Sequence, residues 1–178
     1  MRDHFGSLIS KAILRIWSQG KTIYADPNPG NFLFLDDGRL GLIDFGCCRT
    51  LTPEEWKLQV EAENSWIRGD EATMLKVIAK ACLFEDHTKM EPERLELLMD
   101  LSLWQAEPAE KPGKFAFGDR EFYQRGIDLY VEATKKGYFR GNSLYIWWTR
   151  LIVGHRTLLY KLNSNVDYHL IYMEEKTY

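Results

Sequence analysis

The chain is 178 residues long, 45% hydrophobic and 28% charged, which is enough to bury a substantial core as one globular domain. Its net charge of −3 gives no electrostatic case for nucleic acid, which calls for a concentrated basic face. Three cysteines, Cys47, Cys48 and Cys82, make no disulfide framework, so a reducing compartment such as the cytoplasm is expected. The opening Met1-Arg2-Asp3-His4-Phe5 lacks the apolar core of a secretory signal. The longest apolar segment, Leu144 to Leu162, is interrupted by Arg150, His155, Arg156 and Lys161, a charge density that fits a buried helix and not a membrane span.

Phe5, Leu8, Ile9, Ala12, Ile13, Ile16 and Trp17 recur at three-and-four spacing and predict an amphipathic helix that Gly20 is placed to end. A turn-rich stretch follows. Then come Phe32-Leu33-Phe34-Leu35, the turn residues Asp36-Asp37-Gly38, and Leu40-Gly41-Leu42-Ile43, which together predict a β-hairpin. Beyond it the pattern is helical. Thr52-Pro53-Glu54-Glu55 is a capping box with Pro at the first helical position, and Gly69 marks the far end of that helix. Asp70 caps a helix to about Phe84, and a further helix runs from Glu91 to about Gln105. Residues 107–118, with Pro108, Pro112, Gly113 and Gly118, read as an exposed loop. Helices are expected from Asp119 to Lys136, closed by Gly137, from about Ser143 to Leu162, and briefly from Val166 to Glu174. The fold class is mainly α (α+β), a helical body carrying one small hairpin.

The chemistry concentrates in Tyr24-Ala25-Asp26-Pro27-Asn28-Pro29-Gly30-Asn31 and in Leu42-Ile43-Asp44-Phe45-Gly46. A carboxylate and an amide oxygen presented from separate backbone segments can clamp Mg²⁺, a hard ion that prefers oxygen ligands, against a triphosphate. Asn31 and Asp44 are the candidate metal and nucleotide ligands. Asp44 ends a strand just before Gly46, and Asn31 sits at the opposite end of the hairpin's first strand. Asp26 is the candidate for orienting an attacking hydroxyl or water. An unperturbed aspartate titrates near about 4, so alignment and late proton acceptance suit it better than strong base catalysis. Each motif alone is ordinary turn chemistry; their order, spacing and intervening hairpin together point to Mg²⁺-ATP phosphoryl transfer.

These residues resemble the UbiB-like family of atypical kinases, linked to coenzyme Q biosynthesis. That family's loop typically reads His-Ala-Asp-Pro-His-Pro-Gly-Asn, and the Asn31 to Phe34 and Gly41 to Gly46 segments are similar as well. The later helix, with Arg150 and Gly154, also resembles the family. The resemblance implies a kinase-like C-lobe in which Asp26, Asn31 and Asp44 take the roles above, with ATP and Mg²⁺ as cofactors. It also implies a place near isoprenoid quinone metabolism, ATP hydrolysis ahead of protein phosphorylation, and association with membranes. Tyr24 and Asn28 stand where the family has histidines, the first of which braces the loop against the Asp-Phe-Gly segment. Only 25 residues precede Asp26, and they carry no nucleotide-binding loop, no strand lysine paired to a helix glutamate and no Lys-x-Gly-Gln motif. The expected organisation is therefore a single C-lobe lacking its N-terminal lobe. Its cleft would be covered by an N-lobe, a partner chain or a second copy, and a non-catalytic binding module is the rival reading.

Other residues carry weaker signals. Cys47 and Cys48 are expected as small buried side chains, because no nearby group favours a thiolate. His4, His87, His155 and His169 lack zinc spacing, and His155 reads as a satisfied core histidine. Tyr145, Trp147, Trp148 and Tyr160 are expected to pack in the core, a partly exposed aromatic face being the lipid-facing option. Lys135, Lys136 and Arg140 read as the solvated end of a helix.

Overall fold

The structure is a computed structural model that describes residues 1–82, 87–139 and 143–177, the side chains of His87 and Ser143 excepted. In chain order its elements are α1 (Arg2–Ser18), β1 (Thr22–Tyr24), β2 (Phe32–Phe34), β3 (Leu40–Leu42), β4 (Cys48–Thr50), α2 (Pro53–Ile67), α3 (Glu71–Ala81), α4 (Pro92–Glu110), β5 (Phe115–Ala116), α5 (Arg120–Lys135), α6 (Ser143–Leu162), β6 (Asn165–Val166) and α7 (Tyr168–Glu175). The mainly helical kinase-like body is as the sequence predicts. The strands form three antiparallel pairs among the described residues, where one hairpin is expected: β2 with β3, and in addition β1 with β4 and β5 with β6. The chain divides into two compact units, the first comprising Met1–Thr50, Pro108–Gln124 and Trp147–Tyr178, the second Leu51–Glu107 and Arg125–Ile146.

In the first unit α1 buries Phe5, Ile9, Ile13, Leu14 and Trp17, the stripe its spacing prescribes. Its end differs from expectation. Lys21, not Gly20, adopts the left-handed backbone, with φ of 47°. Gly20 serves a different need, because a Cβ there would lie 2.5 Å from the Ile16 carbonyl oxygen. α1 packs against α7, and Arg15 clamps the buried Glu175 carboxylate through Nε at 2.8 Å and Nη2 at 2.7 Å. In α6, Trp148 packs on Trp17 with ring centroids 4.7 Å apart, and Tyr160 stacks on Tyr123 at 4.1 Å; both α6 aromatics are half-buried, packed against neighbouring rings but not fully enclosed as expected. Among the described residues no helix is long and apolar enough to cross a membrane.

His155 is a satisfied core histidine, as the sequence suggests. It is 1% exposed, and the Ser10 hydroxyl, which donates to Gly6 O, lies 3.2 Å from its Nε2 and so receives that N–H. Burial first, then the adjacent Arg156 charge, pushes its pKa well below the ordinary 6.5. Arg156 itself lies over the rings of Phe117 and Tyr168, at 5.1 and 4.7 Å. The unfolded chain therefore takes up a proton at His155 that the folded chain refuses. Stability should fall as pH drops below 6.5, by up to ~1.4 kcal/mol per pH unit from this one group. Glu175, held down chiefly by its bond from Arg15, adds its own loss only below the ordinary glutamate value of 4.5. Urea unfolding between these two values should show the slope, and His155→Gln should flatten it.

In the second unit the local signals hold. Thr52 and Glu55 form the reciprocal capping box of α2, Gly69 takes φ of 64° after it, and Asp70 caps α3 through Thr73 N–H at 3.1 Å. The helix α3 ends at Ala81; the expected end near Phe84 lies outside the described residues, as does Arg140. Tyr145 packs on Phe139 with centroids 5.1 Å apart. Lys136 is not merely solvated: Glu132 at 2.7 Å and Glu93 both pair with it.

The predicted exposed loop over 107–118 is corrected. α4 continues to Glu110 with Pro108 inside it, and Pro108 is fully buried. A proline this near the C-terminus forfeits only one helical hydrogen bond, which burial of its ring and of Ala109 offsets. Phe117 is 1% exposed as well, and residues 111–114 form the exposed run between α4 and β5.

Candidate metal and nucleotide site

The site grows from short-range constraints in the first unit. β1 pairs with β4, setting Tyr24 opposite Cys48, and the Ala25 N–H then donates to Cys47 O at 2.9 Å. The loop that follows is thereby tied to the chain just beyond Asp44-Phe45-Gly46. Asn28 N–H donates to Asp26 O at 2.7 Å, and a single 3-10 turn over Pro29–Asn31 delivers Asn31 to the start of β2. The hairpin holds Phe32 opposite Leu42 and Phe34 opposite Leu40, with Gly38 at φ of 84° in its turn. Ile43 N–H donates to Asn31 O at 3.1 Å, so Asn31 and Asp44 emerge at the same, open end of the hairpin.

Asp26 and Asn31 are brought into direct contact. Asn31 Nδ2 donates to Asp26 O and to Asp26 Oδ2, both at 2.9 Å. Both of these bonds run from the amide nitrogen, so the Asn31 amide oxygen is the candidate ligand atom. Asp44 is exposed, and among the described residues no hydrogen bond joins it to Asp26 or Asn31; its Oδ1 accepts the Gly46 N–H at 2.7 Å, and Oδ2 is the candidate ligand atom. A carboxylate oxygen and an amide oxygen at one end of a hairpin, both hard donors, fit an ion such as Mg²⁺. No cluster of three or more His, Cys, Asp or Glu side chains able to hold a metal occurs among the described residues.

Two residues of α6 complete the surroundings. Arg150 donates from Nε to Ala25 O at 3.0 Å, and its Nη2 lies 3.5 Å from Asp26 Oδ1. Asp26 is therefore held at both oxygens, by a guanidinium on one side and an amide on the other. That favours a group that orients a nucleophile over one that abstracts its proton early. Gly154 faces Pro27 so closely that a Cβ would meet Pro27 Cγ at 2.6 Å. The sequence marks both positions by resemblance alone; an arginine inside an otherwise apolar helix was the available signal for a partner.

Tyr24 takes the bracing position. It is 1% exposed, and its ring meets Phe32 and Phe45 edge-on, each with centroids 6.3 Å apart. An aromatic ring thus packs between the hairpin's first strand and the Asp-Phe-Gly segment. Burial, opposed by nearby Asn31 and reinforced by the Asp26 and Asp44 charges, holds the Tyr24 hydroxyl above its ordinary pKa. Cys47 and Cys48 are half-buried, not fully enclosed as expected, and burial followed by the Cys47 and Asp44 charges raises the Cys48 pKa. Cys48 is accordingly a thiol and not a nucleophilic thiolate.

A mainly helical body, with one hairpin presenting these groups at its open end, defines the class as a kinase-like C-lobe. Residues 1–78 match the family model of the ABC1 atypical kinase-like domain, in agreement with the UbiB-like resemblance carried by residues 24–46. Over 69 residues the chain is 33% identical to the uncharacterized protein sll0005 of Synechocystis sp., a match covering 39% of this chain and 10% of that protein. The fold is similar to that of Rv3197 from Mycobacterium tuberculosis, solved in complex with erythromycin. The TM-score is 0.66 at 21% identity, covering 97% of this chain and 43% of the other. At that identity the likeness is one of fold. The chain thus spans less than half the length of either relative.

Proposed function

We propose that this chain is the phosphoryl-transfer lobe of an atypical kinase or ATPase that works on Mg²⁺-ATP. The observation that carries the reading is the joint placement of Asp26, Asn31 and Asp44. Asn31 is locked to Asp26 by two hydrogen bonds, and the Asn31–Ile43 backbone bond sets Asp44 at the same end of the hairpin. Asp44 and Asn31 would hold the metal, which supplies charge neutralisation across the phosphates. Asp26, steadied by Arg150 and Asn31, aligns the acceptor oxygen and takes its proton late. Water is the acceptor this reading favours, so that ATP hydrolysis ranks ahead of protein phosphorylation, and the proposal includes a physiological role near isoprenoid quinone metabolism, for which the family resemblance is the support.

The other wall of the nucleotide site comes, in this proposal, from polypeptide outside these residues. Leu33, Leu35, Ile43 and Phe45 are exposed to 47, 38, 57 and 57% around the hairpin. The two hairpin strands also read as continuous apolar runs, a pattern suited to cover on both faces.

Calorimetric titration of the chain with ATP, with and without Mg²⁺, tests the proposal beside Asp44→Ala. Binding that needs Mg²⁺ and disappears in the variant is expected. Absence of binding in every condition, or equal binding by the variant, would overturn the metal assignment and favour a non-catalytic binding module.

A further inference from the structure

Phosphoryl transfer gathers negative charge, and the segments that carry Asp26, Asn31 and Asp44 hold little to answer it. From Tyr24 to Gly46 the one Lys or Arg is Arg39, which sits at the turn end of the hairpin and pairs with Asp37 at 2.7 Å. The cation beside the loop comes from α6. Arg150 is anchored through Nε, which donates to Ala25 O at 3.0 Å, and the Ala25 peptide is itself fixed because its N–H donates to Cys47 O at 2.9 Å. One turn further along α6, Gly154 lies against Pro27, so the helix is seated on the loop at two successive turns. The outer edge of the guanidinium is engaged less firmly. Nη2 lies 3.5 Å from Asp26 Oδ1, beyond the about 2.7–2.9 Å of a charge-assisted hydrogen bond, and the side chain is 54% exposed. A guanidinium that only braced Asp26 would gain most from a two-pronged grip on the carboxylate, but Oδ2 already accepts from Asn31 Nδ2 at 2.9 Å. Nη1 takes part in neither contact of Arg150.

We infer that Arg150 is a catalytic residue of the proposed phosphoryl transfer, its Nη groups donating to the γ-phosphoryl oxygens as that group moves. The inference rests on the proposed function. In that reaction the oxygen of the acceptor water bonds to the γ-phosphorus while the bond to the β–γ bridging oxygen breaks, and the electron pair leaves with ADP. Asp26 takes one proton of the water late, and the products are ADP and inorganic phosphate. Charge is spread over the three oxygens that lie between acceptor and leaving group, and a fixed cation beside them acts most strongly in the transition state. A water aligned by Asp26 is within hydrogen-bond reach of the carboxylate that Arg150 flanks, which sets the guanidinium on the acceptor side of the moving group.

A ground state and a mimic of the moving group make different demands on Arg150, and a brace of the loop would not distinguish them. By calorimetry the parent should bind Mg²⁺-ADP with aluminium fluoride, which imitates the planar phosphoryl group, more tightly than Mg²⁺-ADP alone. Arg150→Gln, which keeps a donor for Ala25 O and removes the charge, should bind the mimic about 100-fold more weakly and Mg²⁺-ADP almost as well as the parent. Arg150→Lys should recover part of the loss, and if Arg150→Gln does not fold, a loss in Arg150→Lys confined to the mimic carries the same meaning. Equal losses for both ligands, or undiminished binding of the mimic, would overturn the inference. A parent that binds Mg²⁺-ADP and gains nothing from aluminium fluoride would overturn it as well, with the metal assignment left standing. Failure of the parent to bind any Mg²⁺-nucleotide, or equal binding by Asp44→Ala, would remove the proposed function and this inference together.

Discussion

Gly154→Ala is expected to destabilise the first unit and, with it, to weaken the proposed Mg²⁺-ATP binding. Two effects oppose each other. Alanine is favoured over glycine inside a helix by about 1 kcal/mol, which acts for the variant. Against it, the new methyl would lie 2.6 Å from Pro27 Cγ and 3.0 Å from Cδ, well inside ordinary contact. Overpacking of this kind costs about 1–3 kcal/mol, and the proline ring cannot rotate out of the way as a flexible side chain would. Pro27 is buried and sits between Asp26 and Asn28, so any displacement passes directly into the loop. The bonds that hold Asp26, from Arg150 at 3.5 Å and Asn31 at 2.9 Å, are the first to be disturbed. The net loss should be about 1–2 kcal/mol, measurable by urea unfolding. Pairing the change with Pro27→Ala should recover most of it, giving a coupling energy that each single variant lacks. Additive effects of the two substitutions would refute the contact.

A larger loss of stability is expected from Gly126→Ala. In α5 a Cβ at this position would fall 2.0 Å from both Cε2 and Cζ2 of Trp104. Atoms cannot approach so closely, so the indole or the helix has to move. Trp104 is 2% exposed and meets Tyr130 edge-on with centroids 6.0 Å apart, and Tyr130 Oη accepts from Gln105 Nε2 at 2.8 Å. The indole is therefore enclosed on its remaining sides. The helical gain of about 1 kcal/mol is the same as at Gly154, but the overlap is far deeper, and a net loss of about 3 kcal/mol is expected. Unfolding should shift to clearly lower urea, and the near-ultraviolet tryptophan signal should change in the native state. Shortening the neighbour with Trp104→Phe in the Gly126→Ala background should return part of the stability, since a phenyl ring is smaller and lies closer to its own backbone than the benzo half of the indole that meets the new methyl.

What the sequence by itself determined is what short stretches of chain decide. The capping box of Thr52 and Glu55, the Asp70 cap, the turn at Gly38 and the amphipathic stripe of α1 all rest on contacts within a few residues. The motif pair around Asp26 and Asp44 was legible for the same reason: its spacing spans one hairpin whose register the turn sets. The tertiary structure alone decided the pairing of β1 with β4 and of β5 with β6, the continuation of α4 through Pro108, and the left-handed Lys21. Strands of two or three residues carry no readable period, and their partners lie tens of residues away. The entropy of closing such loops is repaid only when both sides are buried together. The site shows the same division. Arg150 reads in sequence as a charge interrupting an apolar helix, and Tyr24 as a departure from a motif. Only the path of α6 past the loop brings Arg150 to Ala25 O and Asp26, and only the packing of β1 sets the buried Tyr24 ring against Phe32 and Phe45. Whether a polar group is satisfied depends on what the fold places within about 3 Å of it, and no local pattern of residues specifies that.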